Sequence, residues 1–465
     1  MQISKIIRSD RFSKSAAFAV GLVVGLGFLS ATPAQSESLT QALTSAYLNN
    51  PTLRAARASV RATDETVNQA LSGWRPTIRS DGDYGRNRAD ARPGGLVKTK
   101  PHGAGIGVTQ PIFRGFRTIN NTRRADADVS AARQDLISVE QTTLLETVTA
   151  FMNVMRDAAI VGLRIKNVAV LKEQLRASQA RFSVGEITRT DVAQSSARLS
   201  GAESDLSTAR ANLASSRAEY ARVVGNPAGS LRNKRSIAKL LPRTYQSALA
   251  TARKRNPVLL AATYNEKSSS HAIDSAKGEL LPEVSLEARH DRRYNLPSGF
   301  INRTDNSSII GRVDVPLYQS GAEYSRIRQA QQVNSQRLLQ IREAERSVRA
   351  ATISAWEALR ASRQSIQADQ AQVSANELAL RGVRQEAKVG SRTTLDVLDA
   401  EQELLDSRVS LVTARRNEVV AGYSLLAAIG RLTVQDLRLP VKAYDPTKHY
   451  DAVRDKWIGY GPQKP

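Results

Sequence analysis

The sequence predicts a mainly α protein with a small antiparallel β part, in which one unit, a strand hairpin plus long coiled-coil helices, is written twice. Three observations carry that expectation. They are an internal repeat, two Pro-free stretches rich in helix formers, and short alternating segments at matched places in both halves.

The N-terminus stands apart from this plan. Lys5, Arg8, Arg11 and Lys14 precede an uncharged run from Ser15 to Ser30, which ends in Ala31-Thr32-Pro33-Ala34. This is the pattern of a secretory signal peptide over residues 1–34, with cleavage expected after Ala34. No later stretch is long and apolar enough for a membrane helix, which leaves a β-barrel or a soluble periplasmic fate. The chain has no Cys, so a disulfide framework and an acylated lipoprotein N-terminus are both excluded. A formal charge of +23 suggests nucleic acid or an anionic membrane surface. The bases are spread along the chain with few aromatics among them, so solvated helix faces are expected and no nucleic-acid partner.

Ala42-Leu43, Ala46 and Asn50-Pro51-x-Leu53-x-Ala55-Ala56 reappear about 206 residues later as Ala248-Leu249, Ala252 and Asn256-Pro257-x-Leu259-x-Ala261-Ala262. The series continues in order: Pro76 with Pro282, Pro111 with Pro316, Val184-Gly185 with Val389-Gly390, Asp191-Val192 with Asp396-Val397, and Gly225 with Gly430. The expected divisions are a first repeat at 35–230, a linker at 231–247, a second repeat at 248–432 and a tail at 433–465.

Each unit opens with an Ala-rich helix broken at Asn-Pro. In the second unit Val284, Leu286 and Ala288 then alternate with Ser285, Glu287 and Arg289, and Ile309, Gly311, Val313 and Val315 with Ser308, Ile310, Arg312 and Asp314. That is the period of strands. The first unit is weaker, with Ile78, Gly82 and Tyr84, then Ile106 and Val108. Between the strands, Arg92-Pro93-Gly94-Gly95 and Leu296-Pro297-Ser298-Gly299 read as exposed hairpin loops.

From Gly115 to Gly185, and from Gly321 to Gly390, there is no Pro. About 70 helical residues would make a rod on the order of 100 Å. Apolar residues step by four and three through Ala125, Val129, Ala132, Leu136 and Val139, and again through Leu144, Val148, Phe151, Met155 and Ala158. The returning segments repeat every seven through Val192, Leu199, Leu206, Leu213 and Tyr220, and through Leu398, Leu405, Val412, Val419 and Leu426. These are coiled-coil seams of two helical hairpins.

Two strand hairpins give an open sheet whose edges carry unpaired backbone groups, each costing several kcal/mol in lipid. Single-chain barrels begin at about 8 strands, so several chains must pool theirs. Slim Ala-rich seams likewise bury enough surface only when hairpins pack side by side.

Lys388-Val389-Gly390-Ser391-Arg392-Thr393-Thr394-Leu395-Asp396-Val397-Leu398-Asp399-Ala400, and Arg181 to Val192 in the first unit, resemble the signature of the TolC outer-membrane channel family. The resemblance covers about Leu39 to Leu432. It implies a homotrimer whose strands form a twelve-stranded barrel in outer-membrane lipid, continued by an α-helical periplasmic tunnel. Such a duct serves efflux pumps and type I secretion, with a periplasmic adaptor and an inner-membrane transporter as partners.

By the same resemblance, Asp396 and Asp399 line an iris at the periplasmic tips, and Arg392 with Thr190 and Asp191 holds it shut. Residues three apart share a helix face, and threefold symmetry would gather six carboxylates. Without the resemblance these acids read as ordinary residues of a helix start. The aromatic position three residues before Gly390 is Ala387, so part of the family's latch is absent. Gly185 and Gly390 read as helix C-caps. With Val184, Thr188, Val389 and Thr393 they are also, by resemblance, adaptor-facing tips.

Catalysis finds no support, because His102, His271, His290 and His449 are scattered without a nucleophile motif or metal-ligand spacing. No cofactor or metal is expected. Asn302-Arg303-Thr304 matches a glycosylation acceptor only by coincidence, and the tail from Pro440 reads as extended. The competing reading is a periplasmic coiled-coil scaffold or adaptor without a pore, but the matched strand hairpins favour the channel.

Overall fold

The computed structural model describes residues 37–460, except 92, 94, 233–236 and 297–301. The expected signal peptide lies outside the described residues, as do parts of both hairpin loops and the last five residues of the tail. The chain runs β1 (Glu37–Ser38), α1 (Leu39–Asn49), α2 (Pro51–Leu71), β2 (Thr77–Tyr84), β3 (Asn87–Ala91), β4 (Gly95–Thr99), β5 (His102–Arg114), α3 (Arg117–Ser183) and α4 (Arg189–Val224). The plan then repeats with β6 (Leu231–Arg232), α5 (Tyr245–Arg255), α6 (Pro257–Lys277), β7 (Glu283–Tyr294), β8 (Arg303–Asp314), α7 (Ala322–Lys388) and α8 (Thr394–Ala428), and α9 (Thr447–Val453) follows.

The Asn-Pro breaks do the same work twice. Asn50 Oδ1 accepts from the Thr52 N–H at 2.9 Å, and Asn256 Oδ1 from the Val258 N–H at 2.9 Å. The Pro that follows each Asn has no N–H to satisfy in the first turn. Each Asn amide also donates across the fold, to Val223 O at 3.0 Å and to Ala428 O at 2.9 Å. One side chain thus caps a helix and pins its start to the end of the returning helix.

Helices α3 and α7 hold 67 residues each, a length of about 100 Å. Leu144, Val148 and Phe151 of α3 are fully buried. Ala158, expected next on that seam, is exposed, and Asp157 turns inward to accept from the Ser216 hydroxyl of α4. A straight helix drifts about 20° per heptad, so the inward stripe moves off the sequence positions that began it. About midway along α3 and α7, beside the ends of α4 and α8, both repeats share one core. Leu39, Leu43, Leu53, Phe151 and Tyr220 meet Ala248, Ala252, Tyr423, Leu425 and Leu426 there. Only Glu323, Val348, Thr352, Leu359 and Leu380 of α7 are buried, whereas α3 buries residues along most of its length.

The four-stranded sheet has the order β2-β5-β7-β8, antiparallel throughout, so the two repeats join at its centre between β5 and β7. The register shifts between Pro111 and Phe113, where Pro can donate no ladder bond. Residues directly opposite in such a ladder share a face. One face carries the row Ile78, Val108, Ala288 and Ile309, with Leu286, Val284 and Val313 nearer the helices. The other carries ion pairs: Arg289 with Asp81 at 2.9 Å, Arg293 with Asp83 at 3.6 Å, and Arg312 with Glu287 at 2.9 Å. Strands β2 and β8 each pair on one side only.

Three details depart from the sequence expectation. The first hairpin loop is longer in structure than in pattern, because β3 and β4 pair antiparallel, with Ala91 opposite Gly95, outside the main sheet. Their Asn, Asp, Gly and charged residues carry little strand preference. The expected linker contributes β6, which pairs in parallel with β1, and α5 starts at Tyr245, before the sequence repeat resumes. The tail is not wholly extended. Asp445 Oδ1 accepts from the Thr447 N–H at 2.9 Å and opens α9, which packs on α2.

Candidate functional site at the helix tips

At the end of each long hairpin away from the sheet, the chain reverses through the same turn. Gly185 has φ of 79° and Gly390 of 78°, a backbone state that favours Gly. The Glu186 N–H donates to Arg181 O at 2.9 Å and the Ser391 N–H to Glu386 O at 2.9 Å, closing the last turns of α3 and α7. Val184 and Val389 are 76% and 77% exposed, so each tip projects an apolar knob that nothing among the described residues covers.

The returning helices start on matching caps. Thr188 Oγ1 accepts from the Asp191 N–H at 3.3 Å, while Asp191 Oδ2 accepts from the Thr188 hydroxyl at 2.7 Å and N–H at 2.9 Å. Thr393 and Asp396 repeat this at 3.2, 2.9 and 2.9 Å. Bonds from the Thr188 hydroxyl and then its N–H hold the Asp191 carboxyl below the usual range. For Asp396 the Thr393 N–H leads, then the hydroxyl, with Arg392 nearby. The two acids are therefore charged residues bound into reciprocal caps.

Asp399 is placed differently from Asp396. Its Oδ1 accepts from Arg198 Nη2 of α4 at 2.5 Å, the one ion pair among the described residues that joins the two long hairpins. Arg392 Nε donates to Glu386 Oε2 at 2.9 Å within its own tip. No bond among the described residues links Arg392 to Thr190 or Asp191, and Thr190 is exposed in the first turn of α4. Sequence reasoning missed Arg198, because no spacing rule connects α4 with α8, and Glu386, because its bond to Arg392 spans the tip turn and follows no helix period. Packing thins toward the tips. A small apolar cluster of Val168, Leu171, Ala202, Leu206 and Leu398 stands between them and the main core, with a buried Ser178–Ser195 hydroxyl pair at 3.1 Å.

No group of side chains able to hold a metal ion occurs among the described residues. No described helix is long and apolar enough to cross a membrane.

The family profile described as "Outer membrane efflux protein" matches residues 42–226 and 248–431, one match per repeat. The chain is 39% identical over 434 residues to "Outer membrane efflux protein BepC" of Brucella suis biovar 1, covering 93% of each chain. It is 28% identical to "Outer membrane protein TolC" of Escherichia coli strain K12, over 96% of this chain and 94% of that one. Its fold matches the crystal structure of the Campylobacter jejuni CmeC outer membrane channel with a TM-score of 0.77 at 15% identity, covering 90% and 89% of the two chains. The chain belongs to the outer membrane efflux protein family, export ducts of the outer membrane whose helices reach into the periplasm.

Proposed function

We propose that three copies of this chain close their four-stranded sheets into one twelve-stranded barrel, continued by a helical tunnel that opens and shuts at the tips. The observation that carries this is the sheet with two unpaired edges, one face apolar in the rows nearer the helices and the other lined there with ion pairs. In lipid every edge group must find a partner, and pairing β8 of one copy with β2 of the next satisfies both edges. The apolar face then meets lipid and the charged face lines the bore. A scaffold without a pore has no use for that division. The sparsely buried α7, with Val333, Leu338, Leu339 and Leu378 exposed, would supply the contact between neighbouring copies.

In this reading Asp396, Asp399, Arg392, Asp191 and Thr190 belong to the periplasmic gate. Its closed state depends on the Arg198–Asp399 clasp between the two hairpins. A periplasmic adaptor docks on Val184, Gly185, Thr188, Val389, Gly390 and Thr393, and an inner-membrane transporter delivers small molecules, secreted proteins or both. The role is conduction and not catalysis, with no cofactor.

The test is the mass of the detergent-purified mature protein, followed by planar-bilayer recording. A trimer with discrete, cation-sensitive steps is the expected result. A monomer or dimer without conductance would overturn the duct geometry.

A further inference from the structure

Beyond the apolar band, the lipid side of the sheet ends in a basic notch. Outward from the Ile78–Val108–Ala288–Ile309 row come Ser80–Ile106–His290–Ser307, then Gly82–Ala104–Arg292–Asp305, then Tyr84–His102–Tyr294–Arg303. Eight residues separate Val284 from Arg292, about 27 Å along a strand and about 20 Å of height at a tilt of about 40°. Apolar bands of outer-membrane barrels are about 25 Å tall, so the Arg-bearing rows fall at the outer border, among headgroups. The rings agree with that level. His102 stacks on Tyr294 with centroids 5.1 Å apart, and Tyr84 follows at 6.0 Å, where an aromatic girdle belongs.

The charges at this level do not balance. Asp305 accepts from Arg292 Nε at 2.6 Å and from Arg303 Nε at 3.0 Å, so two guanidiniums share one carboxylate. Gly82 and Ala104, in the same row as Arg292, add almost no side-chain bulk beside it. Further out, the β3–β4 ladder sets Arg88 directly opposite Lys98, and neither has an ion-pair partner among the described residues. Like charges in direct opposition destabilise a ladder unless an anion lies against them.

We propose that Arg292 and Arg303 form a site for the phosphate of a phosphorylated lipid headgroup in the outer leaflet. A planar Arg fork matches phosphate oxygens, and on this face the surrounding anions are those of headgroups. The site rests on the barrel reading above, which sets this face against lipid.

The test uses the full mature protein in nanodiscs of zwitterionic lipid doped with a bisphosphorylated glycolipid or with its dephosphorylated form. Lipid retained through purification is counted by native mass spectrometry. Each surface Arg contributes about a fivefold preference for an anionic lipid, so the wild type should retain the phosphorylated form at least about fivefold over the other. R292Q/R303Q should abolish that preference, D305N should raise it by freeing both guanidiniums, and R79Q, on the opposite face, should leave it unchanged. Inorganic phosphate at high concentration should not displace the lipid. Equal retention in wild type and R292Q/R303Q, or a preference indifferent to D305N, overturns the site while conductance upholds the barrel. Failure of the wild type to insert and conduct overturns the barrel reading itself, and the site with it.

Discussion

Replacing Arg198 with Gln removes the charge of the clasp to Asp399 while keeping the length of the side chain. The pair is tight at 2.5 Å but its side chains are 43% and 52% exposed, which puts it in the class of surface ion pairs. Such pairs contribute about 0.2–1 kcal/mol. In the threefold gate proposed above, opening as a unit, three clasps would release together, so the closed state would lose about 0.6–3 kcal/mol. The opening equilibrium should then rise by about threefold to 150-fold, read as the open fraction of single channels in 0.1 M KCl. Salt supplies the discriminating arm. The screening length falls from about 10 Å at 0.1 M to about 3 Å at 1 M, so the difference between wild type and R198Q should shrink at high salt. The charge-swapped R198D/D399R pair should restore closure, because it reverses the ion pair without removing it. An open fraction unchanged by R198Q at low salt, or a difference indifferent to salt, would refute the clasp.

Asn50→Ala and Asn256→Ala each remove a cap and leave a carbonyl, buried at Val223 and half-buried at Ala428, without its donor, so each should cost about 1–3 kcal/mol and lower the thermal unfolding midpoint in detergent. The larger loss is expected for Asn50→Ala, since Asn50 Oδ1 accepts from both Thr52 and Leu53 N–H and its cross-fold bond is the more buried. Val184→Asp with Val389→Asp should weaken adaptor capture by about 150-fold, from about 1.5 kcal/mol of lost burial at each knob, with conductance intact. A pull-down unaffected by both changes would remove the tips from the docking surface. Asp64 is fully buried, and that burial raises its pKa against the opposing pull of His449 and Arg133. A raised carboxyl stabilises the docked tail fully below the ordinary Asp range and less as pH rises through the folded value. Protease cleavage of the tail should accordingly increase with pH across the acid range, and D64N should flatten that profile.

The local rules read well in this chain because they concern residues a few positions apart. Asn-Pro breaks, Pro-free rods, glycine turns and alternating strands are all consequences of backbone sterics and helix or strand period, and each is visible twice. The same rules explain why Asp191 and Asp396 appear at helix starts, three residues after Thr188 and Thr393. What they leave open is which distant segments meet. The pairing of β5 with β7, the Arg198–Asp399 clasp, and the docking of α9 through His449 on Asp64 at 3.0 Å join residues far apart in sequence. No periodicity encodes such a meeting. Ala158 shows the limit inside one helix, where a heptad pattern written on paper ignores the drift of a real α-helix and the stripe passes to Asp157. The sequence by itself determined the duplication, the length of the rods and the two-faced strands. Only the tertiary structure decided how the repeats interlock and which tip carboxylate is bound to its own cap or to the other hairpin, because those choices follow from packing the whole chain at once.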